Sequence, residues 1–459
     1  MSTGALGVAA TSAGDFALFA GGVAFNSQSN VEVFDASTGT WSIFQLSTDR
    51  GAMGATSVGT LAIFGGGVQG TSGTGFQSSD VVDFFDTSTG VWTTGLLPTA
   101  SGASSATSVG TKALFTNGSA VDIFDTATGT WTSMTLTPIP RLATSATSAG
   151  TKAFFIGGPS AAASALVDVY DDSTGQWGVE PLPVPRHGVA LTSSGNQVFF
   201  AGGWDTAAVA PSDVVDIYDV VTSTWRSARL TEARQDAAAT AVGTKVFFAG
   251  GRGGATTGSA TVDIYDTATD TWSTASLSAG RSGIAATTVD GRALFAGGAV
   301  CALNCTYSSF ADIYDDRLGV RYCSPGVINS TGAASTLQCL GFPGSVAQGA
   351  AMLVARGLPP QTLGYFLTSN TQGLTVGPGG SQGDLCLGGA IGRFVGPGQS
   401  LNSGPDGRIQ LTIDLTSLPQ PNGVAVVQPG ETWNFQAWYR DANPGPTSNF
   451  TDAVAVTFQ

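Results

Sequence analysis

The sequence RSGIAATTVDGRALFAGG at residues 281–298 contains the pattern that decides the fold. An alternating stretch follows Arg281, and Asp290-Gly291 is a strong signal for a two-residue hairpin turn. A short apolar run then ends at a pair of glycines, and a variable loop leads to ADIYD at residues 311–315. Because the connections are short, we predict a module of consecutive antiparallel strands.

The same pattern recurs seven times along the chain. Such a repeat indicates one supersecondary unit that buries its apolar face by stacking on its neighbours. We predict four strands per repeat, named A to D in chain order. The pentads similar to VDIYD end at Asp35, Asp86, Asp125, Asp171, Asp219, Asp266 and Asp315. In six copies a Trp follows six residues later: Trp41, Trp92, Trp131, Trp177, Trp225 and Trp272.

Double glycines end strand B in six of the repeats. Glycine adopts positive φ at little cost and lets neighbouring backbones approach, and Asn is the next best residue. Repeat 3 departs from the pattern with Asn117-Gly118. The predicted pairs are Gly21-Gly22, Gly65-Gly66, Gly157-Gly158, Gly202-Gly203, Gly250-Gly251 and Gly297-Gly298.

This arrangement resembles kelch repeats, which have an Arg or small residue opening strand A, two glycines ending strand B and an aromatic residue on strand C. The Trp on strand D completes the resemblance, which extends over about residues 4–322. It implies a seven-bladed β-propeller in which each four-stranded sheet is one blade. Repeat 7 has Arg321-Tyr322 in place of the Trp. Because repeat 1 contains its own strand A at residues 5–11, we expect closure by packing of the first and last blades.

The repeat ends near Tyr322, and Pro-Gly pairs become frequent. Short alternating runs between them suggest a β-sandwich. We therefore predict an all-β chain with a propeller at residues 1–322 and a sandwich at residues 323–459. The stretches YFLTSNTQG, GDLCLGGAIGRF and ETWNFQAWYRD are similar to a C-terminal module of predicted exported bacterial proteins, which implies export and a separate domain. The runs are residues 351–355, 364–368, 408–415, 432–439 and 453–458.

Composition excludes several classes of partner. The chain has 459 residues, a net charge of -14 and only 11% charged residues, which argues against nucleic-acid binding. No apolar run approaches ~18 residues, so we predict no transmembrane helix. The first residues lack the basic and apolar regions of a secretory signal, yet repeat 1 begins almost at residue 4. We expect a leader to precede this sequence and the protein to be extracellular or at the cell surface.

The cysteines all lie on the C-terminal side of the chain. Disulfide bonds are the favoured interpretation for an exported protein, with Cys301 and Cys305 close enough in sequence to close a small loop. A metal site is disfavoured because no His or second Cys pair follows at zinc-ligand spacing. With five cysteines, one is free or pairs outside the chain, and the pairing is open among Cys301, Cys305, Cys323, Cys339 and Cys386.

Catalytic chemistry is disfavoured by the residues present. His187 is the only histidine, so a Ser-His-Asp triad would have to use it, and its position at the start of a strand favours a structural role. Galactose oxidase also has a kelch-type propeller, but its copper needs two His and two Tyr ligands, which one His cannot supply. Sialidases have similar Asp-containing turns but need an Arg cluster and a Tyr nucleophile. We predict no catalytic residue, no metal and no cofactor.

The aspartates recur too often for catalysis. Pairs such as Asp122 and Asp125 or Asp263 and Asp266 occur in nearly every repeat, whereas catalytic carboxylates form a single pair. We interpret them as structural hydrogen-bond acceptors in turns. A calcium site built from one or two of them is the alternative, although no compact loop supplies all the oxygen ligands.

Arginines recur where strand D leads into the next strand A. Antiparallel alternation places these D–A loops on the same face as the B–C loops, so the guanidinium groups could rim a pocket and bind carboxylates. The alternative is a structural role, pairing with neighbouring blades, and it is the favoured one, although both could hold. The candidates are Arg50, Arg141, Arg186, Arg234 and Arg281.

The B–C loops differ most between repeats, as expected of a recognition surface on a rigid scaffold. Trp204-Asp205 is the main candidate, because Trp204 lies outside the repeat pattern and could stack on a sugar or anchor a peptide. A Trp that only caps the blade is the alternative. In the second domain, Trp433 and Tyr439 share one strand face opposite Trp438, with core packing favoured over carbohydrate binding. Weaker loop candidates are Phe25-Asn26, Phe76-Gln77, Arg252 and Tyr307.

These observations predict an exported, non-enzymatic binding or adhesion protein. The propeller would recognise a protein or glycan through its B–C loop face, and the sandwich would mediate attachment or assembly. Two alternatives stay open: a carbohydrate-active enzyme that uses the propeller channel, and a self-assembling surface or matrix protein.

Overall fold

In the computed structural model, the described residues form mainly strands and turns, and they include one 3-10 turn, at Pro378–Gly380. The protein is therefore all-β, as predicted. It divides into two compact units, residues 1–312 and 313–459, so the division falls within the strand Ala311–Leu318. The described residues are 4–24, 26–71, 73, 75–102, 105–116, 120–135, 144–157, 165–253, 258–301, 305–323, 326–341, 350–442 and 445–458.

In the first unit, each of repeats 1 to 6 forms an antiparallel sheet with strands A, B, C and D in spatial order. The bounds, given for repeats 1 to 6 in turn and within each repeat in the order A, B, C, D, are Ala9–Ala13, Phe16–Ala20, Asn30–Asp35 and Thr40–Gln45; Gly54–Val58, Leu61–Gly65, Gly75–Asp86 and Val91–Ser101; Ala106–Val109, Lys112–Thr116, Ala120–Asp125 and Thr130–Thr135; Thr144–Ala149, Lys152–Gly157, Leu166–Asp171 and Gln176–Pro181; Ala190–Ser194, Gln197–Ala201, Val214–Asp219 and Thr224–Arg229; Ala238–Val242, Lys245–Ala249, Thr261–Asp266 and Thr271–Ser276. Repeat 7 has A and B strands at Ala285–Val289 and Arg292–Ala296, and Ala311–Leu318 is its third strand.

Shorter strands occur in the D–A and B–C loops of three repeats. These strands lie in the loops, outside the order A to D, on the side of each repeat where the D–A and B–C loops emerge. They are Val68–Thr71 in repeat 2, Arg186–His187, Trp204–Asp205 and Ala210–Pro211 in repeat 5, and Ala299–Cys301 and Cys305–Tyr307 in repeat 7.

The turn predicted at Asp290-Gly291 is confirmed. Val289 pairs with Arg292 across it, and the two turn residues have φ of 45° and 75°. Positive φ at both positions is what a two-residue hairpin of type I′ requires. Strand A of repeat 1 begins at Ala9 rather than Ala5, because the preceding residues belong to the loop side, where Leu6 bridges to Val23.

The B strands are buried on both faces. In repeat 5, Phe199 and Phe200 are both fully buried although their side chains point to opposite sides of the sheet. Phe200 packs with Phe154 of repeat 4, and Phe199 packs with Phe248 of repeat 6. In repeats 2 to 6 the D-strand Trp packs at the edge of an apolar core, with the ring of Trp272 5.0 Å from that of Tyr265, whereas Trp41 of repeat 1 is exposed.

The A strands are rich in Ala, Ser and Thr, so they can approach one another closely. Each contacts the A strand of the next repeat, and the A strand of repeat 1 contacts that of repeat 7. Strands of all seven repeats line one cavity of about 310 Å³. Its lining includes Ala9, Gly54, Ala106, Ser145, Ala190, Ala238 and Ala286.

The second unit contains two antiparallel sheets and two hairpins. The first sheet includes Thr336–Gly341, Ala350–Arg356 and Ile409–Asp414, and Thr336–Gly341 pairs with the residues 315–318. The second contains Val320–Tyr322, Pro446–Thr457, Thr432–Ala442 and Leu363–Ser369, with Gly392–Arg393 and Leu401–Asn402 on its last strand. The hairpins are Thr371–Thr375 with Leu385–Gly388 and Leu418–Gln420 with Gly423–Ala425.

The two sheets share one apolar core. Leu353 of the first sheet and Phe435 of the second are fully buried in it, together with Trp433 and Tyr439. Trp438 lies outside this core and is half-buried on the other face of its sheet. The predicted division of these three aromatic residues between the two faces is therefore confirmed.

The strand predicted as D of repeat 7 belongs elsewhere. Val320–Tyr322 pairs with residues 453–455 in the second unit. Gly319, with φ 86°, turns the chain just before this strand, and a Cβ there would lie 2.3 Å from the carbonyl oxygen of Ala455. The prediction of a fourth strand at this position, where the Trp is missing, was wrong.

Two cysteines of the second unit form a disulfide. Cys323 and Cys386 are bonded with their Cα atoms 6.3 Å apart, which fits the usual range. Cys339 is buried as a free thiol, and burial raises its pKa to about 12. Cys301 and Cys305 are opposite each other in a hairpin, but their side chains lie outside the described residues.

Candidate binding face

In the five repeats where both residues are described, the glycine pair after strand B makes a turn that suits no other residue. In repeat 5, Gly202 and Gly203 have φ of 61° and 92°. A Cβ on Gly202 would lie 2.4 Å from the carbonyl oxygen of Arg234, and one on Gly203 would lie 2.7 Å from that of His187. In repeat 2 the corresponding pair is Gly66-Gly67, one residue later than predicted, because the strand itself includes Gly65.

These turns connect neighbouring repeats. The N–H of the second glycine donates to the carbonyl oxygen of the residue that opens the next repeat, where Arg is common. The same bond joins repeat 7 to repeat 1, because Gly298 donates to Ala5. The bonds are Gly22 to Arg50 (3.0 Å), Gly203 to Arg234 (2.9 Å), Gly251 to Arg281 (2.8 Å) and Gly298 to Ala5 (3.0 Å).

The arginines at these openings are buried. The side chain of Arg186 is 0% exposed, and its guanidinium donates to the carbonyl oxygens of Gly202 (2.8 Å) and Val214 (2.5 Å). It also donates to the carboxylate of Asp216 at 2.5 Å, which is itself 0% exposed. Burial lowers the pKa of Arg186, and the charge of Asp216 opposes that shift. The equivalent buried pairs are Arg50 with Asp83, Arg234 with Asp263 and Arg281 with Asp312.

The predicted ring of ligand-binding arginines is therefore not present at the four described positions. All four point into their own repeats. Arg50, Arg186 and Arg281 donate to the first carbonyl oxygen of the turn after strand B, and Arg234 donates to Phe248 within strand B. A guanidinium without solvent exposure, already paired with a buried carboxylate, is out of reach of a ligand, even where its buried Nε–H has no hydrogen-bond partner. The structural role also differs from the predicted one, because each pair is made within one repeat rather than between blades. Arg141 lies outside the described residues.

Just beyond this buried frame, five of the repeats carry, among their described residues, a pair of residues that differs from repeat to repeat. One member follows the opening residue, the other follows the glycine pair, and the two are bridged by backbone hydrogen bonds. We name them the variable pairs. They are Leu6 with Val23, Gly51 with Val68, His187 with Trp204, Gln235 with Arg252, and Ser282 with Ala299.

Trp204 belongs to a small three-stranded sheet on this side of repeat 5. It is half-buried, with His187 opposite it on one side and Pro211 on the other. Asp205 accepts hydrogen bonds from the N–H groups of Ala207 (2.8 Å) and Ala208 (2.9 Å). The Asp205 carboxylate therefore closes the loop that supports Trp204, a role that the sequence did not separate from ligand binding.

Arg252 is the exposed member of the neighbouring pair in repeat 6. Its side chain is 52% exposed, and its Nε donates to the Asp236 carboxylate at 2.8 Å. The backbone of Asp236 is fixed between repeats, since its N–H donates to Gly188 and its carbonyl oxygen accepts from Gly283. Sequence reasoning missed Gln235 and Asp236, although both could have been found as the first and second residues after Arg234.

The weaker loop candidates are scattered. Phe76 and Gln77 are exposed in a hairpin of repeat 2, where Phe76 is opposite Gly70, and Asn26 bridges to Thr71 beside it. Tyr307 is half-buried in the hairpin of repeat 7, and Phe25 lies outside the described residues.

The aspartates that end strand C serve the turns, as predicted, but the prediction was wrong for the first aspartate of such a pair, since Asp263 is the buried partner of Arg234. Asp219 accepts from the N–H groups of Val221 (2.9 Å) and Thr222 (3.0 Å). These hydrogen bonds, led by the one from Thr222, lower the pKa of Asp219. Hydrogen bonds to the following turn lower the pKa of Asp35, Asp86, Asp125 and Asp171 in the same way. Among the described residues, no group of three or more His, Cys, Asp or Glu could hold a metal ion.

A family model described as Kelch motif matches residues 185–229 and 233–276. These segments are repeats 5 and 6, and the strand content of the structure agrees with the match. The matched segments contain Trp204 and Arg252 and both of their variable pairs. A comparison with curated proteins finds no match. No helix in the described part of the chain has the length and apolarity needed to cross a membrane.

Proposed function

We propose that this chain is a non-enzymatic binding protein that recognises a protein partner through its variable pairs. The observation that carries the proposal is that five equivalent positions share one backbone arrangement but carry different side chains, which are buried at Gly51 and Ala299 and reach the surface at Trp204 and Arg252. A rigid frame with varied side chains is the usual design of a recognition surface. Kelch repeats, matched here in repeats 5 and 6, commonly mediate protein binding.

The architecture we infer for this function is a seven-bladed propeller followed by a β-sandwich. The propeller is supported by the cavity lined by all seven A strands and by the bond from Gly298 to Ala5. The sandwich is supported by the single core shared by the two sheets of the second unit. We also propose export, because a Cys323–Cys386 disulfide suits an oxidising compartment.

Trp204 and Arg252 define the chemistry of the partner. Trp and Arg are the residues most often found as binding hot spots, and these two come from adjacent repeats. The partner we propose is a peptide segment that places an apolar side chain against Trp204 and a carboxylate near Arg252. Asp236, already paired with Arg252, holds the guanidinium in position before binding.

The test is selection of a displayed peptide library on the purified chain, followed by titration of the selected peptides. We expect Trp204→Ala to weaken binding at least tenfold, as hot-spot truncations do, and Arg252→Gln to weaken it about fivefold. Val221→Ala is the matched control, because Val221 is 71% exposed in the same repeat but lies in the C–D turn. Binding that is unchanged in Trp204→Ala, or equally reduced in the control, contradicts the proposal.

Glycan binding and enzyme activity remain the alternatives to a protein partner. A glycan array with the same variants separates the first, since a Trp204-dependent glycan signal without peptide binding would replace the protein partner. The described lining of the central cavity carries Ser105 and Ser145 but no carboxylate, so nothing there favours a glycosidase over a binding protein.

A further inference from the structure

The second unit contains a pocket that the variable pairs do not explain. It lies on the outer face of the sheet formed by Leu363–Ser369 and Thr432–Ala442, on the side away from the shared core. Its volume is about 270 Å³. The lining residues are Tyr365, Leu367, Pro378, Gly379, Leu385, Ile391, Arg393, Trp438 and Phe450.

The pocket has an apolar floor and aromatic walls. Leu367 and Phe450 are buried at its base. Tyr365 and Trp438 are opposite each other on neighbouring strands, with ring centroids 4.9 Å apart, and both are half-buried. The open parts of these two rings therefore provide a surface on which a flat or apolar ring can pack.

The wall that carries Leu385 is fixed before any ligand binds. Gln436 is fully buried, accepts from the N–H of Cys386 at 2.9 Å, and donates to the carbonyl oxygen of Asp384 at 2.9 Å. The disulfide between Cys323 and Cys386 also tethers this strand, because Cys386 follows Leu385 in it. Preformed sites bind with less loss of conformational entropy, so even a small ligand can bind measurably.

The polar groups of the pocket are mainly donors. The Tyr365 hydroxyl, the Trp438 indole N–H and the Arg393 guanidinium make no hydrogen bond or ion pair with the described residues. Arg393 is exposed, so it lies at the solvent side of the pocket. A ligand that satisfies these groups accepts hydrogen bonds and carries negative charge, as a carboxylate does.

A neutral sugar fits this lining poorly. Each of its hydroxyl groups is a donor as well as an acceptor, and among the described lining residues the only side-chain acceptor is the Tyr365 hydroxyl oxygen. Burying hydroxyl groups against Leu367, Leu385 and Ile391 without partners is costly. The lining instead suits an apolar ring.

We propose that this pocket binds an apolar ring that carries a carboxylate, with the ring against Tyr365 and Trp438 and the carboxylate on Arg393. The same chemistry is found in a free aromatic acid and in the C-terminal Phe of a peptide. The three stretches singled out in the C-terminal sequence converge here, since they contribute Tyr365, residues 385–393 and Trp438. The pocket therefore gives those stretches a shared role.

The experiment titrates the full chain with 3-phenylpropionate, observed by saturation-transfer NMR. We expect a dissociation constant of about 1 mM, as is usual for so small a ligand. Arg393→Gln should weaken binding about fivefold, the effect of an exposed charge pair, and Trp438→Leu should weaken it further. Arg440→Gln is the matched control, because Arg440 is exposed on the same strand but does not line the pocket.

The neutral amide 3-phenylpropanamide tests the carboxylate. It should bind more weakly than the acid, and Arg393→Gln should not weaken it further. Absence of binding, an equal effect of Arg440→Gln, or glucuronate binding as well as 3-phenylpropionate would each overturn the proposal. A heptapeptide ending in Phe that binds more tightly than the free acid assigns the ligand to peptides, and weaker binding assigns it to small acids. Trp204→Ala should leave these affinities unchanged, so this test is independent of the variable pairs.

Discussion

Arg186 and Arg252 lie in neighbouring repeats, and each donates a hydrogen bond to an aspartate, yet their surroundings differ. Arg186 is 0% exposed and pairs with Asp216, which is equally buried. Arg252 is 52% exposed, and its partner Asp236 is 37% exposed. The contrast separates two roles: the buried pair fixes the backbone of its repeat, and the exposed pair is the one that we propose presents charge to a partner.

The same division applies to the positions around them. The turns at the glycine pairs and the buried arginines that open the repeats set the position of each variable pair in its repeat. The side chains mounted there then vary from Ala299 and Val68 to Trp204 without a change in the bridging backbone bonds. The residues that fix each repeat therefore differ from those that we propose for recognition, and substitutions should affect one role without the other.

The largest expected effect comes from breaking the buried pair. Asp216→Asn keeps the shape of the side chain but leaves the charge of Arg186 uncompensated in the interior, so we expect a loss of about 3–5 kcal/mol in the free energy of unfolding. Urea denaturation followed by fluorescence measures this loss. A loss below about 1 kcal/mol would mean that water reaches the Arg186 guanidinium.

Gly203→Ala should have the next largest effect. The added Cβ would meet the carbonyl oxygen of His187 at 2.7 Å, in addition to the strain of φ 92°, so we expect a loss of about 2–3 kcal/mol. Gly243→Ala is the control, because it has φ 54° but no atom within 4 Å of the new Cβ, and it should cost about 1 kcal/mol. Equal losses in the two variants would show that the close contact can relax.

A smaller effect is expected at the exposed pair. Asp236→Asn makes the same chemical change as Asp216→Asn, but solvent screens the charge of Arg252, so we expect a loss of at most about 1 kcal/mol. The same urea measurement applies to both variants. A loss similar to that of Asp216→Asn would remove the distinction between the two pairs.

The smallest effect concerns pH and the turn aspartate Asp219, which is half-buried and is not part of a buried arginine pair. Hydrogen bonds from the turn place the folded-state pKa of Asp219 below its ordinary value of 3.8. The stability that it contributes is fully present above that ordinary value and is lost as pH falls through the lower, folded-state pKa. We expect the thermal midpoint to fall below about pH 4, and to fall less in Asp219→Asn. An equal fall in that variant would assign the acid sensitivity to other groups.

Much of the fold could be predicted from local patterns. The Asp290-Gly291 turn and the alternation of Trp433, Trp438 and Tyr439 each depend on a short stretch, so the sequence alone identified them. The described glycine pairs were identified in the same way, except that the pair of repeat 2 lies one residue later than predicted. The pairing partner of Val320–Tyr322 could not be predicted, because it is a strand more than a hundred residues later in the chain.

The candidate site was predicted less well. Trp204 stood out because it broke the repeat, and it lies at a variable position. The four buried arginines were predicted to lie at the rim of a pocket, because the sequence does not reveal whether a side chain in a loop points outward or inward. Their partners are carboxylates about thirty residues later, a distance at which charge pairing becomes visible only in the folded sheet.

The bond from Gly298 to Ala5 also has a mechanical consequence. Consecutive repeats are connected by peptide bonds as well as by packing, but repeats 7 and 1 are held together only by noncovalent contacts, among them Arg292 donating to the carbonyl oxygen of Ala36 at 2.7 Å. This junction is therefore the place where the first unit should open most readily under force or thermal fluctuation. Amide hydrogens there should exchange with solvent before those at the other junctions, because the junction of repeats 7 and 1 opens at the lowest cost in free energy.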